Sequence, residues 1–543
     1  MVNLDLSGNN IQIRFPYSLE QVERVKTLTS DWRKRDKYWS ISSARLEEIY
    51  AVFPDAQASL KLRQWIDLQR ELSRIKDARN RKSPQPYWVA CALRDHQRSA
   101  LEFLDHFSRC ADFDPPGAMK TRVAAAWALH DRLPALVVCP ATVKHHWKRQ
   151  ILTCQPNAQI FISEGMKPHI LPSNLDFLIL NYDILKGWTS LLPEFKTLIC
   201  DESHYCKNFK SQRGDAILQL AERISNAFFL TGSPTLNRNG ELESTLVALG
   251  YLKPRERFAW RVRFCAGHQV VINEKGVKYH GKKPIIKWDF SGSSNTQLLA
   301  RELDMFSVRR PFAEIMASLP PVTHTLLEID LPDLSEHEAM YAEMKALMRQ
   351  PDSSSRGKAL AMIGRMIAWC GVKKAEVVAD LARERLDQGD YPVVFSDFLD
   401  PLCAVRERLL TESMVLDGTM TPRAKEDAIE RFKDSLKPIC LLASRRACGT
   451  GTDGLQTKSR TAIFQTLPWN PSSHQQAAAR ICRQGQRFPV EVITTLARGT
   501  VEEAVLRLIY EKARSVDIVC SSPSLSVEAK AEWERVLSLL GGI

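Results

Sequence analysis

The sequence predicts an α/β protein with two tandem doubly wound parallel-sheet lobes, preceded by a small N-terminal α/β module. Three observations carry that prediction. Between about residues 90 and 250, short apolar runs alternate with amphipathic segments: Ala135–Cys139, Phe177–Leu180, Thr197–Cys200 and Ala227–Leu230. Runs of this kind suit strands buried on both faces of a helix-covered parallel sheet. A second such series follows at Val393–Phe395, Ile439–Ala443, Thr461–Phe464 and Val490–Thr494. Near the start, Ile11, Ile13 and Phe15 alternate as a strand, Leu19–Leu28 has helical spacing, and Tyr38, Trp39 and Ile41 read as another strand.

These elements divide the 543 residues as follows. The module takes 1–57, and a basic helical linker takes 58–88, closing on the breaker Ser83-Pro-Gln-Pro86. The first lobe covers 89–252 and the second 386–515. Between them, 253–385 holds a basic insertion and a helical region interrupted by the polar Pro351–Ser355. Residues 516–543 end the chain with an amphipathic helix over Val527–Leu540, expected to pack on the second lobe.

An apolar fraction of 44% and a charged fraction of 25% are ordinary globular values, which argues against a disordered or fibrous chain. No run of 18 uncharged apolar residues exists, so no membrane partner is expected. Asp5 and its polar neighbours within Met1–Ile13 do not make a signal-peptide core. Thirteen cysteines without a C-x-x-C pair read as reduced thiols of a cytoplasmic or nucleoid-associated protein.

Lys and Arg exceed Asp and Glu by 75 to 63, leaving +12. Two stretches hold that surplus. Residues 61–82 carry eight basic against three acidic side chains, and 253–287 carry ten against two. With Trp65, Trp260 and Trp288 interleaved, they would suit nucleic-acid phosphates, because each neutralised phosphate releases counterions. A solvated helix face is the competing reading.

The chemistry-bearing segments lie in the first lobe. Leu198-Ile-Cys-Asp-Glu-Ser-His204 is an apolar strand ending in paired carboxylates, the Walker B arrangement. One carboxylate there holds the magnesium of a nucleotide and the next orients an attacking water. Upstream, Asp114-Pro-Pro-Gly-Ala-Met-Lys120-Thr121 leads into a helix over Arg122–Leu129. Lysine followed by a hydroxyl at a helix N-terminus is the phosphate-gripping end of a P-loop. The G-x-x-x-x-G-K-T pattern is incomplete: Asp114 and Met119 stand at the glycine places, and Gly117 alone supplies backbone freedom. If position 119 requires positive φ, methionine there costs about 1–2 kcal/mol. Phe228-Phe-Leu-Thr-Gly-Ser-Pro234 is a further strand with a small polar turn, and Leu93-Arg94-Asp95-His96-Gln97 precedes the loop.

In this order the segments resemble the superfamily 2 helicase-like ATPases of the Swi/Snf type. Leu93–Gln97 is similar to their adenine-reading Q motif, Gly117–Thr121 to motif I, Val137–Pro140 to motif Ia, Asp201–His204 to the D-E-x-H box and Leu230–Pro234 to motif III. In the second lobe, Leu416-Asp-Gly418 with Arg423 and the helix ending at Phe432 resembles the family's segment that opens on Asp-Gly and continues to an Arg. Ser444–Gly454 resembles motif V, with Asp453 where the family usually has Asn. Gln476–Gln486 resembles motif VI, including Arg480, Arg483 and the final Gly-Gln. Trp288–Asn295 and Met305–Pro321 resemble the inter-lobe region, so the likeness runs from about 90 to 515. Ile13-Arg-Phe-Pro-Tyr17 with Lys37-Tyr-Trp-Ser40 is similar to the HARP-type module of annealing helicases.

The resemblance implies two RecA-like lobes and a DNA-dependent ATPase that translocates on duplex or branched DNA, with fork remodelling or strand annealing as the finer expectation. ATP and Mg2+ are the implied ligands. Glu202 is implied as base or water-positioner, Lys120 as phosphate ligand, and Arg480 with Arg483, three apart on one helix face, as arginine fingers. Arg94, Gln97, Gly117, Ala118, Met119, Lys120, Thr121, Gly451 and Asp453 are implied to surround the nucleotide, and Thr121, Asp201 and Glu202 the metal. Two rivals remain at this point. One is a non-catalytic DNA-binding adaptor whose phosphate loop Met119 has spoiled, and the other is an RNA helicase.

Overall fold

The computed structural model describes residues 2–7, 10–77, 83–165, 171–189, 192, 195–232, 234, 238–272, 285–315, 319–348, 353–409, 413–448, 454–467, 471–483, 485–507 and 509. They form two compact units. One takes the chain up to Asp114 and Met119–Arg309; the other takes Pro115–Ala118 and the chain from Arg310. The expected C-terminal helix over Val527–Leu540 lies outside the described residues.

The first unit contains the N-terminal module. Strands β1 (Asn3–Ser7), β2 (Asn10–Arg14), β3 (Trp32–Arg33), β4 (Tyr38–Ser42) and β5 (Gln57–Ala58) make a sheet in the order β3-β4-β2-β1-β5. Alternation drives it: Leu4, Leu6, Ile11 and Ile13 point to one side and meet Val25, Ile41, Ile49 and Phe53 in a closed core. Helix Leu19–Lys26 starts where the Ser18 hydroxyl accepts the Gln21 N–H at 3.5 Å. The basic linker is a helix over Leu60–Asp77.

The lobe that follows has seven parallel strands: β6 (Arg109–Asp112), β7 (Ala135–Cys139), β8 (Ile160–Ile162), β9 (Phe177–Asn181), β10 (Thr197–Asp201), β11 (Asn226–Leu230) and β14 (Ser307–Val308). Their order is β14-β6-β11-β10-β7-β9-β8. The apolar runs behave as the period of two demands. Leu136, Val138, Leu178, Leu180, Leu198 and Phe229 fill one face, while Val137, Phe177, Ile179, Ile199 and Phe228 fill the other. Each such side chain contributes roughly 1.5–3 kcal/mol on burial. Between the lobe's last helices, β12 (His268–Ile272) and β13 (Ile285–Asp289) form an antiparallel hairpin.

The second unit repeats the plan with β15 (Val322–Ile329), β16 (Val393–Ser396), β17 (Ser413–Leu416), β18 (Cys440–Ser444), β19 (Thr461–Phe464) and β20 (Val490–Ala497). All pair in parallel, in the order β15-β20-β19-β16-β18-β17. Helices Ser335–Met348, Ser353–Lys373 and Ala375–Asp387 occupy the expected helical region. Among the described residues, no helix is long and apolar enough to cross a membrane, and the described cysteines are free.

Candidate functional site

In the first unit, β6, β10 and β11 end at the same edge of the parallel sheet, and β11 lies between the other two. Loops leaving the carboxyl ends of adjacent parallel strands are where doubly wound folds bind ligands. The loop after β6 carries the lysine, β10 ends on Asp201 with Glu202 next in the chain, and the loop after β11 carries Thr231.

Lys120 is itself the first residue of the helix Lys120–Leu129, two residues earlier than expected, and its Nζ donates to the Asp114 carbonyl at 2.7 Å. Gly117 has φ 91°, and Met119 has φ 58° and ψ 42°. The condition for strain at Met119 is thus met: a side chain occupies the left-handed region where the loop turns into the helix. Gln97 is fully buried behind it. Its Oε1 accepts the Arg94 N–H at 3.0 Å, and its Nε2 donates to the Met119 carbonyl at 3.3 Å. Gln97 therefore braces the strained turn. Arg94 is exposed at the preceding helix start, Ala118 is buried, and Thr121 sits half-buried in the first turn.

The acidic pair is held from several directions. Trp147, fully buried on helix Lys144–Cys154, donates its indole N–H to Asp201 Oδ2 at 2.7 Å. Asp201 Oδ1 accepts the Glu202 N–H at 2.9 Å, and the Tyr182 hydroxyl donates to the Asp201 carbonyl at 2.6 Å. Burial, then the charge of Glu202, raises the Asp201 carboxyl to about 6, opposed by the Trp147 hydrogen bond and by Lys120. Glu202 lies in the left-handed region at φ 50°. Its Oε2 accepts the Thr231 hydroxyl at 3.3 Å and lies 3.3 Å from His204 Nδ1, which is 3.1 Å from the same hydroxyl. The acidic pair and the turn after β11 are thus one hydrogen-bonded unit.

Asp201, Glu202 and the Thr121 hydroxyl are hard oxygen donors. Magnesium bound with a nucleotide takes few such groups alongside phosphate oxygens. The set fits that ion, and among the described residues no group of three His, Cys, Asp or Glu forms a separate metal cluster.

Beside the pair, a groove of about 630 Å3 is lined by Tyr182, Lys186, Tyr205, Lys207 and Arg213 among others. Next to the lining residue Arg213, a Cβ at Gly214 would stand 2.2 Å from the Asn208 carbonyl oxygen, so only glycine lets that loop lie on the helix. The basic stretch at 253–287 is less available than its composition suggests. Arg257 and Arg261 both pair with Glu243, at 2.7 and 2.8 Å, and Trp260 is buried in the lobe core. Lys253, Arg255, Lys287 and Trp288 are exposed.

In the second unit, one expectation is corrected. Helix Pro471–Ala478 stops before Arg480, so Arg480 and Arg483 lie in successive turns and not on one helix face. The Arg480 N–H reaches Ala477 O at 3.1 Å, and Gly485 follows with φ 98°. A sequence running Ala-Arg-Ile-Cys-Arg-Gln-Gly lacks a polar stop signal until that glycine, which is why the helix reads as longer. Gln486 is structural: its buried Nε2 donates to Ser459 O at 2.8 Å. Gly451 and Asp453 lie outside the described residues. Missed by sequence reasoning were Trp147 and Tyr182, which no local signal marks as partners of Asp201.

Two family models match the chain in tandem. The model described as the SNF2-related domain matches residues 21–370, and that of the helicase conserved C-terminal domain matches 373–485. The chain belongs to the SNF2-related family. This SNF2-family chain is 25% identical over 471 residues to the human DNA annealing helicase and endonuclease ZRANB3, covering 83% of this chain and 42% of that protein. It is 24% identical over 548 residues to the Caenorhabditis elegans homolog of SWI/SNF-related matrix-associated actin-dependent regulator of chromatin subfamily A-like protein 1, covering 94% of this chain and 74% of that protein. The chain thus spans about two fifths of the length of the annealing-helicase relatives. A solved SWI2/SNF2 ATPase core from Sulfolobus solfataricus, in complex with dsDNA, is 21% identical with a TM-score of 0.38, covering 83% of this chain and 98% of that one.

Proposed function

We propose that this SNF2-family chain is a DNA-dependent ATPase that translocates on duplex or branched DNA, and that its N-terminal module directs it to fork remodelling or strand annealing. The observation that carries the reading is the shared sheet edge in the first unit, where Lys120, the Asp201–Glu202 pair and Thr231 leave neighbouring strands. Family membership supports the same activity.

In this mechanism the Lys120 ammonium and the free N–H groups of its helix take the phosphates of ATP. Asp201, Thr121 and Glu202 would hold a magnesium ion, which supplies neutralisation of phosphate charge when bound. Glu202, oriented by the Thr231 hydroxyl and His204, accepts the proton of the attacking water. Because Thr231 touches both His204 and Glu202, a shift of the turn after β11 moves the base. Gln97 fixes Met119, and through it the direction of Lys120. Arg480 and Arg483 of the second unit are assigned to the developing charge on the transferred phosphate. Lys186, Lys207 and Arg213 in the groove, with Lys253, Arg255 and Lys287, are assigned to DNA phosphates.

ATP turnover measured with single-stranded, duplex and forked DNA, and with duplex RNA as competitor, tests the reading. Stimulation by duplex or forked DNA, not reproduced by RNA, is expected. Turnover indifferent to DNA would refute the motor. Magnesium-dependent nucleotide affinity separates it from a silent adaptor, which would show none.

A further inference from the structure

Trp147 lies 54 residues before Asp201 on a different element, yet it is the side-chain donor to that carboxylate. The helix that carries it, Lys144–Cys154, follows β7, and β7 pairs directly with β10. Lys144 anchors the start of this helix: its buried Nζ donates to the Ser163 carbonyl at 2.7 Å and to Asn181 Oδ1 at 3.2 Å. Asn181 ends β9, the other neighbour of β7, and Tyr182 follows it. The helix therefore stands at a fixed height against the sheet, and its indole is aimed at the end of β10.

A fully buried indole N–H must find an acceptor, since an unpaired one costs about 1–3 kcal/mol. Here the acceptor is Asp201 Oδ2. Oδ1 is taken by the Glu202 N–H, and the main chain at Asp201 is held through its carbonyl by the Tyr182 hydroxyl. Three donors from three segments thus fix the two carboxylate oxygens and the carbonyl of one residue. An aspartate with a single free torsion at its carboxylate would otherwise rotate toward Lys120 or away from Glu202. Partners of this kind around a metal-ligating carboxylate set its orientation, and their loss typically lowers metal affinity or activity by 10–100-fold.

We propose that Trp147 is a positioning residue that fixes the Asp201 carboxylate for the magnesium–nucleotide complex, with Tyr182 fixing the backbone beneath it. This rests on the nucleotide-site reading above. Trp147 is fully buried and acts through Asp201. Trp147→Phe keeps an aromatic ring in the same core and deletes the donor, and Tyr182→Phe deletes only the hydroxyl.

The test is fluorescent-nucleotide binding to the full chain titrated with magnesium, alongside thermal melting without nucleotide. Trp147→Phe is expected to raise the half-saturating magnesium concentration about tenfold, with nucleotide affinity in chelator near the wild-type value. Tyr182→Phe is expected to give a smaller rise in the same direction. In an Asp201→Asn background, Trp147→Phe should add little, because the two changes act on one interaction. An unchanged magnesium requirement in Trp147→Phe overturns the assignment, and so does a full additive loss on Asp201→Asn. Should Trp147→Phe fold too poorly to assay, Trp147→His, which keeps a ring N–H, takes its place. It must then need less magnesium than Trp147→Ala, and equality of the two overturns the assignment. A wild-type chain that binds no nucleotide with magnesium refutes the site itself, a result distinct from any of these.

Discussion

The acidic pair of the first unit and the arginine turn of the second are built in opposite ways. Asp201 closes a strand whose preceding residues are fully buried, Glu202 follows it, and Trp147, Tyr182 and Thr231 bond directly to the pair. Arg480 and Arg483 follow a helix that has already ended, in turns shaped by Gly485 and secured by the amide of Gln486. The acids are fixed by the core, and the arginines are presented by a backbone turn. The difference suits their assigned tasks: water must be oriented within a fraction of an ångström, whereas a guanidinium is asked to supply charge and to withdraw it.

That contrast can be broken or sharpened experimentally. The largest effect is expected in the second unit. Arg480→Ala or Arg483→Ala should lower the rate of ATP cleavage by roughly 10³–10⁵ while nucleotide binding by equilibrium fluorescence survives. Cleavage at the wild-type rate in both variants would remove the arginines from the mechanism.

Next in size is the buried pair beneath the same lobe. Lys374 Nζ lies 2.7 and 2.9 Å from the carboxylate oxygens of Glu502 and 3.0 Å from Thr495 O, with both side chains fully buried. Lys374→Met alone should destabilise this unit by about 3–5 kcal/mol, and Lys374→Met with Glu502→Leu should recover most of it. Urea denaturation measures both. If the single variant melts like the wild type, the pair is not sequestered as described.

Smaller again is Met119→Gly in the first unit, which relieves the left-handed φ. Because the folded loop holds that φ by itself, the change is expected to raise the stability of the first unit by about 1 kcal/mol in urea denaturation, less the entropy that glycine adds to the loop, and to leave nucleotide affinity near the wild-type value. Weaker binding would mean that the methionine side chain, not the turn, serves the site.

The mildest test is of pH. His474 stacks on Phe464 at 3.8 Å, with Nε2 3.2 Å from Thr494 Oγ1. Burial first, then the charges of His324 and Arg445, pushes it down to about 3. A folded-state value below the unfolded one stabilises the neutral form. Its contribution is therefore present above pH 6.5 and is lost as pH falls toward 3. His474→Phe should flatten the fall in denaturation midpoint between pH 7 and 5. An equally steep fall would assign the acid sensitivity to other groups.

Much of this was legible in the sequence, for physical reasons that particular residues show. Leu198–Cys200 and Val393–Phe395 read as strands because both faces of a parallel sheet demand apolar side chains. Three of the strands that escaped notice, β6, β14 and β15, break that rule. β6 begins with Arg109, whose guanidinium donates to carbonyls distant in sequence, including Ala248 O at 2.7 Å and Ile224 O at 2.6 Å. β15, at a sheet edge, carries His324 between Thr323 and Thr325, and Glu328 near its end, and β14 has two residues only. At the site, Lys120 and Asp201–Glu202 were visible because their spacing to the strands is local. Trp147 was not, since an indole within an amphipathic helix looks like core until the sheet order sets it against β10. Trp260 failed in the other direction, as a core residue inside a basic run.

The central claim is that the acidic pair of the first unit drives nucleotide hydrolysis under the control of DNA. Single-turnover ATP cleavage by wild type and Glu202→Gln, each with and without duplex DNA, tests it most directly. Wild-type cleavage accelerated by DNA, with Glu202→Gln slower by about 10²–10⁴-fold yet still binding nucleotide, is the predicted result. Equal rates for the two proteins in the presence of DNA would contradict it.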